Sequence, residues 1–170
     1  MDSEAQKLGE ELRATMRLWA NGVTVVTSAL GKQRAGMTVS SFTSVSLEPP
    51  LVLICVFLGT ETCNLIEESG VFAVSVLGAE HAQLSNQFAG FSELPEGADR
   101  FYNVATTTAE SGCPILADSI AWVDCKVHSQ LDAGTHRVII GEVLAAQFDT
   151  EQPAPLIYFN RGYHTVKPVE

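Results

Sequence analysis

IAWVDCKVHSQLDAGTHRVIIGEVLAAQF, residues 120–148, decides the fold class. Between Ile120 and Leu131 the side chains alternate with a period of two. Ala121, Val123, Cys125, Val127 and Leu131 fall on one side, and Trp122, Asp124, Lys126, His128 and Gln130 on the other. Asp132-Ala133-Gly134 supplies a tight turn, and His136 to Phe148 reads as the returning strand. Two long strands joined this closely must run antiparallel.

Working outward, the same period recurs. Val23 to Ser28 is rich in β-branched residues, Gly31 marks a turn, and Arg34 to Ser41 is a second strand. Phe42 to Leu47 alternates and stops at Pro49-Pro50, and Leu51 to Phe57 is an apolar run expected to be buried on both faces. Val71 to Leu77 and Leu156 to Phe159 are further strands, the latter followed by an Asn160-Arg161-Gly162 turn. Helical spacing appears three times. Leu8, Leu12, Met16 and Trp19 mark a first helix ended by Asn21-Gly22, and Thr60 and Gly70 bracket a second over Thr60 to Ser69. Glu80 to Phe88 is the third, and Ala89 to Asp99 is a loop. Seven or eight strands in succession predict a mainly β, antiparallel barrel with an N-terminal helix and short peripheral helices. No linker or repeat divides the 170 residues, so one domain is expected over 1–170.

Twenty acidic and ten basic side chains give a net charge of −10. The basic residues form no run from Lys7 to Lys167, which disfavours nucleic acid and anionic membrane as partners. The longest apolar stretch, Leu51 to Leu58, is far shorter than the roughly 20 residues of a spanning helix. MDSEAQKLGEELRA lacks the pattern of a secretory signal. Cys55, Cys63, Cys113 and Cys125 are widely separated and contain no CxxC, so free thiols in a cytoplasmic protein are expected. GxG, GxxxxGK[ST] and GxSxG are absent, and the four histidines show no metal-ligand spacing. Hydroxyls stand out instead: nine of the 23 residues from Thr24 to Ser46 are Ser or Thr. Strand preference accounts for most of them. The sharper expectation is that neutral donors let an acidic chain hold an anionic ligand.

The blocks NGVTVVTS (21–28), AGMTVSSFTSVSLEPPLVLICV (35–56), GVFAVSVL (70–77), LSNQFAG (84–90), GTHRVIIGEVLAAQ (134–147) and PLIYFNRGYH (155–164) resemble the flavin reductase-like, FMN-binding split-barrel family. The resemblance runs in order from about Leu12 to His164, with a domain core of about 12–166. It implies a split barrel that moves hydride from NADH or NADPH to FMN or FAD. It further implies a homodimer, with Trp19 and Trp122 as candidate contacts, that supplies reduced flavin to a flavin-dependent monooxygenase.

The resemblance also implies roles for individual residues. Met37, Thr38, Val39, Ser40 and Ser41 would line the isoalloxazine edge, completed by Ser46 and Leu47. The run from Cys55 to Thr62 would lead to the ribityl phosphate, with Thr60 and Thr62 donating at a helix start. Phe88 and Phe91 would shield a ring face. His136 would lie beside the nicotinamide, and Tyr163 would close the other side of that pocket. No side chain acts as nucleophile or acid/base, and no metal is implied. One departure stands out: the segment FLGTET (57–62) places Glu61 where many relatives carry a basic residue, leaving Arg137 or Arg161 as nearby cations. Two other readings of such a barrel are a flavin-binding or sensing module without turnover and an oxidase related to the pyridoxamine-phosphate oxidases.

Overall fold

In the computed structural model, residues 3–151 and 153–169 are described. The chain begins with α1 (Ser3–Met16), then β1 (Asn21–Gly22), β2 (Thr24–Leu30), β3 (Gln33–Val39), β4 (Thr43–Leu47) and β5 (Pro50–Phe57). Helix α2 (Glu61–Ser69), β6 (Val71–Val76), a single 3-10 turn and α3 (Ala82–Ala89) follow. The short strands β7 (Thr106–Thr107) and β8 (Ile115–Leu116) precede the long hairpin β9 (Ala121–Ala133) and β10 (His136–Phe148). Strands β11 (Ile157–Phe159) and β12 (Gly162–His164) come last among the described elements.

The hairpin organises the rest. Its register runs from His136 opposite Ala133 to Phe148 opposite Ala121, with bulges at Ile140/Gly141 and Val143/Ala145. Gly141 sits at the first bulge for a steric reason: a Cβ there would come within 2.3 Å of the Phe72 ring. Strands add on both sides of the hairpin to give a seven-stranded antiparallel sheet in the order β3-β2-β6-β9-β10-β5-β4. The sheet curls so that β3 approaches β5. At that seam the Ser41 hydroxyl donates to the Cys55 carbonyl at 2.9 Å and accepts from the Cys55 N–H at 3.0 Å. One side-chain oxygen thereby replaces a missing ladder rung, and the result is an antiparallel split barrel.

Inside the barrel, Val26, Val52, Ile54, Val56, Phe72, Val74 and Ile139 pack together, and Cys63 and Ile66 of α2 plug one end. A second cluster, with Val23, Val25, Leu77, Phe88, Phe101, Leu116 and Leu156, lies under α3. Helix α2 is bounded as its sequence predicts. Thr60 accepts from the Cys63 N–H, and Gly70 (φ 72°) donates its N–H to the Ile66 carbonyl from the left-handed region.

Four expectations need correction. The first helix stops at Met16, and Asn21-Gly22 instead pairs with Tyr158 and Ile157. Its apolar ridge of Leu8, Leu12, Met16 and the following Trp19 is exposed, with no cover among the described residues. Strand β5 is not buried on both faces: Val52, Ile54 and Val56 point into the core, while Leu51, Leu53 and Cys55 are only half covered. Asp124, in the polar set by alternation, is fully buried, and its carboxylate accepts from the Ser111 N–H (2.7 Å) and hydroxyl. Hydrogen bonding rather than solvent satisfies it there.

Candidate active site

Strand β3 forms one edge of the seven-stranded sheet, so alternate main-chain N–H and C=O groups on its outer side have no strand partner. Two cavities lie along it. The first, about 440 Å³, is lined by Arg34, Gly36, Met37, Thr38 and Phe57, by Thr60 to Thr62, and by Phe88, Arg100 and Phe101. The second, about 270 Å³, is lined by Met37, Thr38, Val39, Ser40, Ser41, Cys55, Phe57 and His136. They share Met37, Thr38 and Phe57, so together they form a continuous trough along β3.

The structure therefore brings most of the nominated residues together. The row Met37 to Ser41 stands opposite Cys55 and His136, and the His136 ring meets Phe57 edge-on with centroids 5.3 Å apart. Its Nδ1 lies 2.9 Å from the Thr135 hydroxyl. Thr60 and Thr62 sit at the start of α2, where the N–H groups of the first turn have no helical acceptor. Phe88 is fully buried, forming the cavity floor with Phe101 at 5.0 Å.

Four nominated residues lie elsewhere. Ser46 and Leu47 belong to the outer strand β4, where Leu47 is 86% exposed and the Ser46 hydroxyl accepts from the Glu48 N–H. Phe91 projects into solvent from the loop after α3 and shields nothing. Tyr163 lines neither cavity. Its hydroxyl is directed at Ser85 and Asn86 of α3, 2.9 Å from each, where it pins that helix to the β11–β12 hairpin.

Most of the conspicuous hydroxyls are structural. Thr24 donates to Val39, Thr27 to Pro114, Ser28 to Val71, Thr38 to Ser85 and Ser41 to Cys55, each to a main-chain carbonyl. The Thr60 proton goes to the Phe57 carbonyl at 2.8 Å while its oxygen caps α2. Among the nominated lining hydroxyls, those of Ser40 and Thr62 remain uncommitted.

Sequence reading missed Arg34 and Arg100. Arg34 pairs with Asp99 at 2.8 Å and stacks over Phe101 at 4.5 Å, and Arg100 donates to the carbonyls of Gly36 and Phe88. Both line the cavity that holds the start of α2, so positive charge faces Glu61 across it. The lining thus combines two guanidinium groups, both engaged by protein groups, two carboxylates, Glu61 and Asp99, and a helix start whose free N–H groups can meet a phosphate. The distance in sequence hid the two arginines, since they come from a strand start and a loop 66 residues apart. Arg137 faces elsewhere: it bridges Asp132 (2.6 Å) and Glu67 (2.7 Å), which together raise its affinity for its proton. His81 turns inward and accepts the Gly78 N–H through Nδ1.

Three buried thiols hold their protons more tightly than a free cysteine. Burial raises the Cys63 and Cys113 thiols, and burial with the Asp124 carboxylate pushes Cys125 up to about 12. The trough thus offers an edge-strand main chain, flat apolar side chains and one charged end. It is suited to holding a planar ring with a phosphate tail rather than to attacking a substrate.

Comparison with known proteins agrees with this geometry. The family described as flavin reductase like domain matches residues 16–167. A probable flavin reductase of Rhizobium meliloti is 40% identical over 91% of this chain, which spans about half (48%) of that relative's length. The FMN reductase (NADH) RutF of Bradyrhizobium diazoefficiens is 36% identical over 92% of this chain and 85% of its own. The reductase component of a 4-nitrophenol 4-monooxygenase/4-nitrocatechol 2-monooxygenase of Rhodococcus opacus is 36% identical over 84% and 74%. The NADH:FAD oxidoreductase SgcE6 of Streptomyces globisporus superposes with a TM-score of 0.84 at 35% identity, covering 94% of each chain.

Proposed function

The chain belongs to the flavin reductase like domain family, and from that premise we propose that it oxidises NADH or NADPH and passes reduced FMN or FAD to a partner monooxygenase. The trough along β3 carries this reading. One end, with Thr62, the α2 start, Arg34 and Arg100, suits the flavin phosphate; the other, from Met37 to Ser41 opposite Cys55 and His136, suits the ring edge. Bound flavin would supply the acceptor for hydride from the nicotinamide. The protein's part is positional: β3 main-chain groups orient a ring, Phe57 and Phe88 exclude water, and His136 stands where a second ring would enter. No side-chain nucleophile is required for hydride transfer between two cofactors.

The test is catalytic loss of nicotinamide absorbance on adding FMN or FAD to the purified protein. No turnover with any pairing of flavin and nucleotide would overturn the reading. His136→Ala should raise the KM for the nicotinamide nucleotide several-fold and leave flavin affinity little changed. Equal KM in variant and parent would remove His136 from the site.

The assembly we propose is a homodimer. Helix α1 exposes Leu8 and Leu12 at 66% and 61%, and a helix of this length is marginal in water without a covered face. A second copy is the occupant that suits it, and Trp19 lies next to that ridge. Trp122 is half-buried against the cluster of Ala73, Cys113 and Ile115, so Trp19 is the more exposed of the two candidate contacts. We read residues 1–170 as one domain, and the four free thiols suit a reducing, cytoplasmic setting.

A further inference from the structure

The chain has six arginines. Arg34, Arg100 and Arg137 are engaged by protein groups in the ion pairs and hydrogen bonds described above. The other three, Arg13, Arg17 and Arg161, converge on one groove of about 340 Å³, and none of them has a carboxylate within 4 Å among the described residues. In a chain with twice as many acids as bases, three unpaired guanidinium groups at one place call for an anion.

The fold holds them there. The Asn160 N–H donates to the Arg17 carbonyl at 2.9 Å, which ties the end of the N-terminal segment to the β11–β12 turn. In that turn Asn160 and Arg161 both have positive φ, 46° and 67°. Asparagine tolerates this conformation, but the second position favours glycine. An arginine in its place keeps a long cationic side chain where the backbone would prefer none. Strain of this kind points to use of the side chain. Trp19 and Tyr158 line the same groove and offer flat faces to a base.

Position completes the case. Ser40 lines both this groove and the cavity with His136. Along β3 and its extension, Arg34 stands at the phosphate end, Met37 to Val39 at the ring, and Ser40 at the groove. The groove therefore opens at the opposite end of the trough from the proposed flavin phosphate.

We propose that Arg13, Arg17 and Arg161 form a subsite for the adenosine diphosphate half of a dinucleotide, with the phosphates on the guanidinium groups and the adenine against Trp19 or Tyr158. The proposal rests on the reductase reading. Two dinucleotides carry this half: the nicotinamide donor and FAD. Neither the flavin phosphate cavity nor His136 takes part.

Arg161→Gly is the decisive variant, because glycine relieves the left-handed backbone and the fold should not suffer. Arg17→Gln is its companion. Calorimetric titration of the intact protein with ADP needs no turnover, and each variant should weaken ADP binding about tenfold. Unchanged ADP affinity in both variants, or no ADP binding by the parent protein, overturns the subsite. Kinetics with FMN as acceptor then identify the source. If the groove holds the nicotinamide donor, the KM for NADH rises about tenfold while that for reduced nicotinamide mononucleotide stays constant. If it holds FAD, the Kd for FAD rises and the Kd for FMN does not. A parent protein that binds ADP but oxidises no nicotinamide under any pairing would break the reductase reading and leave the subsite standing.

Discussion

Helix α1 runs 14 residues and α2 only nine, yet the shorter one is held on every side. Helix α2 has a Thr60 cap, a left-handed Gly70 stop, four buried residues and an ion pair from Glu67 to Arg137. In α1, every residue from Glu4 to Met16 is exposed. Both are amphipathic by spacing. The difference teaches that a periodic apolar stripe states that a face must be covered and says nothing about what covers it. For α2 the cover is the barrel's own end, which makes its first turn rigid enough to serve a binding cavity. For α1 no described residue of the chain supplies a cover.

The largest effect should come from Ile66→Ala in α2. Ile66 is fully buried in the barrel core, so its truncation should cost about 3 kcal/mol by urea unfolding. A loss below about 1 kcal/mol would mean that α2 is no better anchored than α1. Next comes Leu8→Ser with Leu12→Ser, which should leave unfolding of the protomer nearly unchanged but weaken dimerisation at least about tenfold by sedimentation. An unaltered monomer–dimer equilibrium would break the assignment of the ridge to a second copy.

Thr60→Ala should cost about 1 kcal/mol through the lost cap, and Thr60→Ser should recover most of it. Flavin affinity should follow the same order if the first turn of α2 serves the phosphate. The smallest effect concerns Asp132, which shares Arg137 with α2. The Arg137 guanidinium holds this carboxyl below its ordinary value of 3.8. The folded form is then favoured above that value, and the benefit disappears as pH falls through the lowered one. Parent and Asp132→Asn should therefore differ by a small constant amount at neutral pH and converge in acid. A difference that persists in the acid limit would sever the link between Asp132 and α2.

Much of the barrel was legible in the residues. The hairpin from Ala121 to Phe148 followed from alternation and Asp132-Ala133-Gly134, and the span of α2 followed from Thr60 and Gly70. Local conformational preference is strong at such turns and caps, so a short window is enough. Met37 to Ser41 fall together along one cavity because they are contiguous on one edge strand and its extension. Ser46 and Leu47 lie outside the trough because the chain reverses direction after Ser41, carrying β4 to the far side of β5. Tyr163 lies outside the trough because its hydroxyl is held on α3, a contact 78 residues distant.

The hydroxyl-rich stretch is the most instructive case. Its density suggested neutral donors for an anion, but a buried threonine or serine must first satisfy its own hydroxyl, and nearby carbonyls are the closest acceptors. Positive charge instead reached the trough from Arg34 and Arg100, and the groove from Arg13, Arg17 and Arg161.

By itself, then, the sequence determined the strand order along the chain, the caps of α2 and the family. These depend on period, turn chemistry and order, which are properties of neighbouring residues. Only the tertiary structure decided which hydroxyls remained available, which cations converged and which apolar face stayed uncovered. Those outcomes depend on pairs brought together across tens of residues, where a hydrogen bond or charge contact is made only once the backbone has closed.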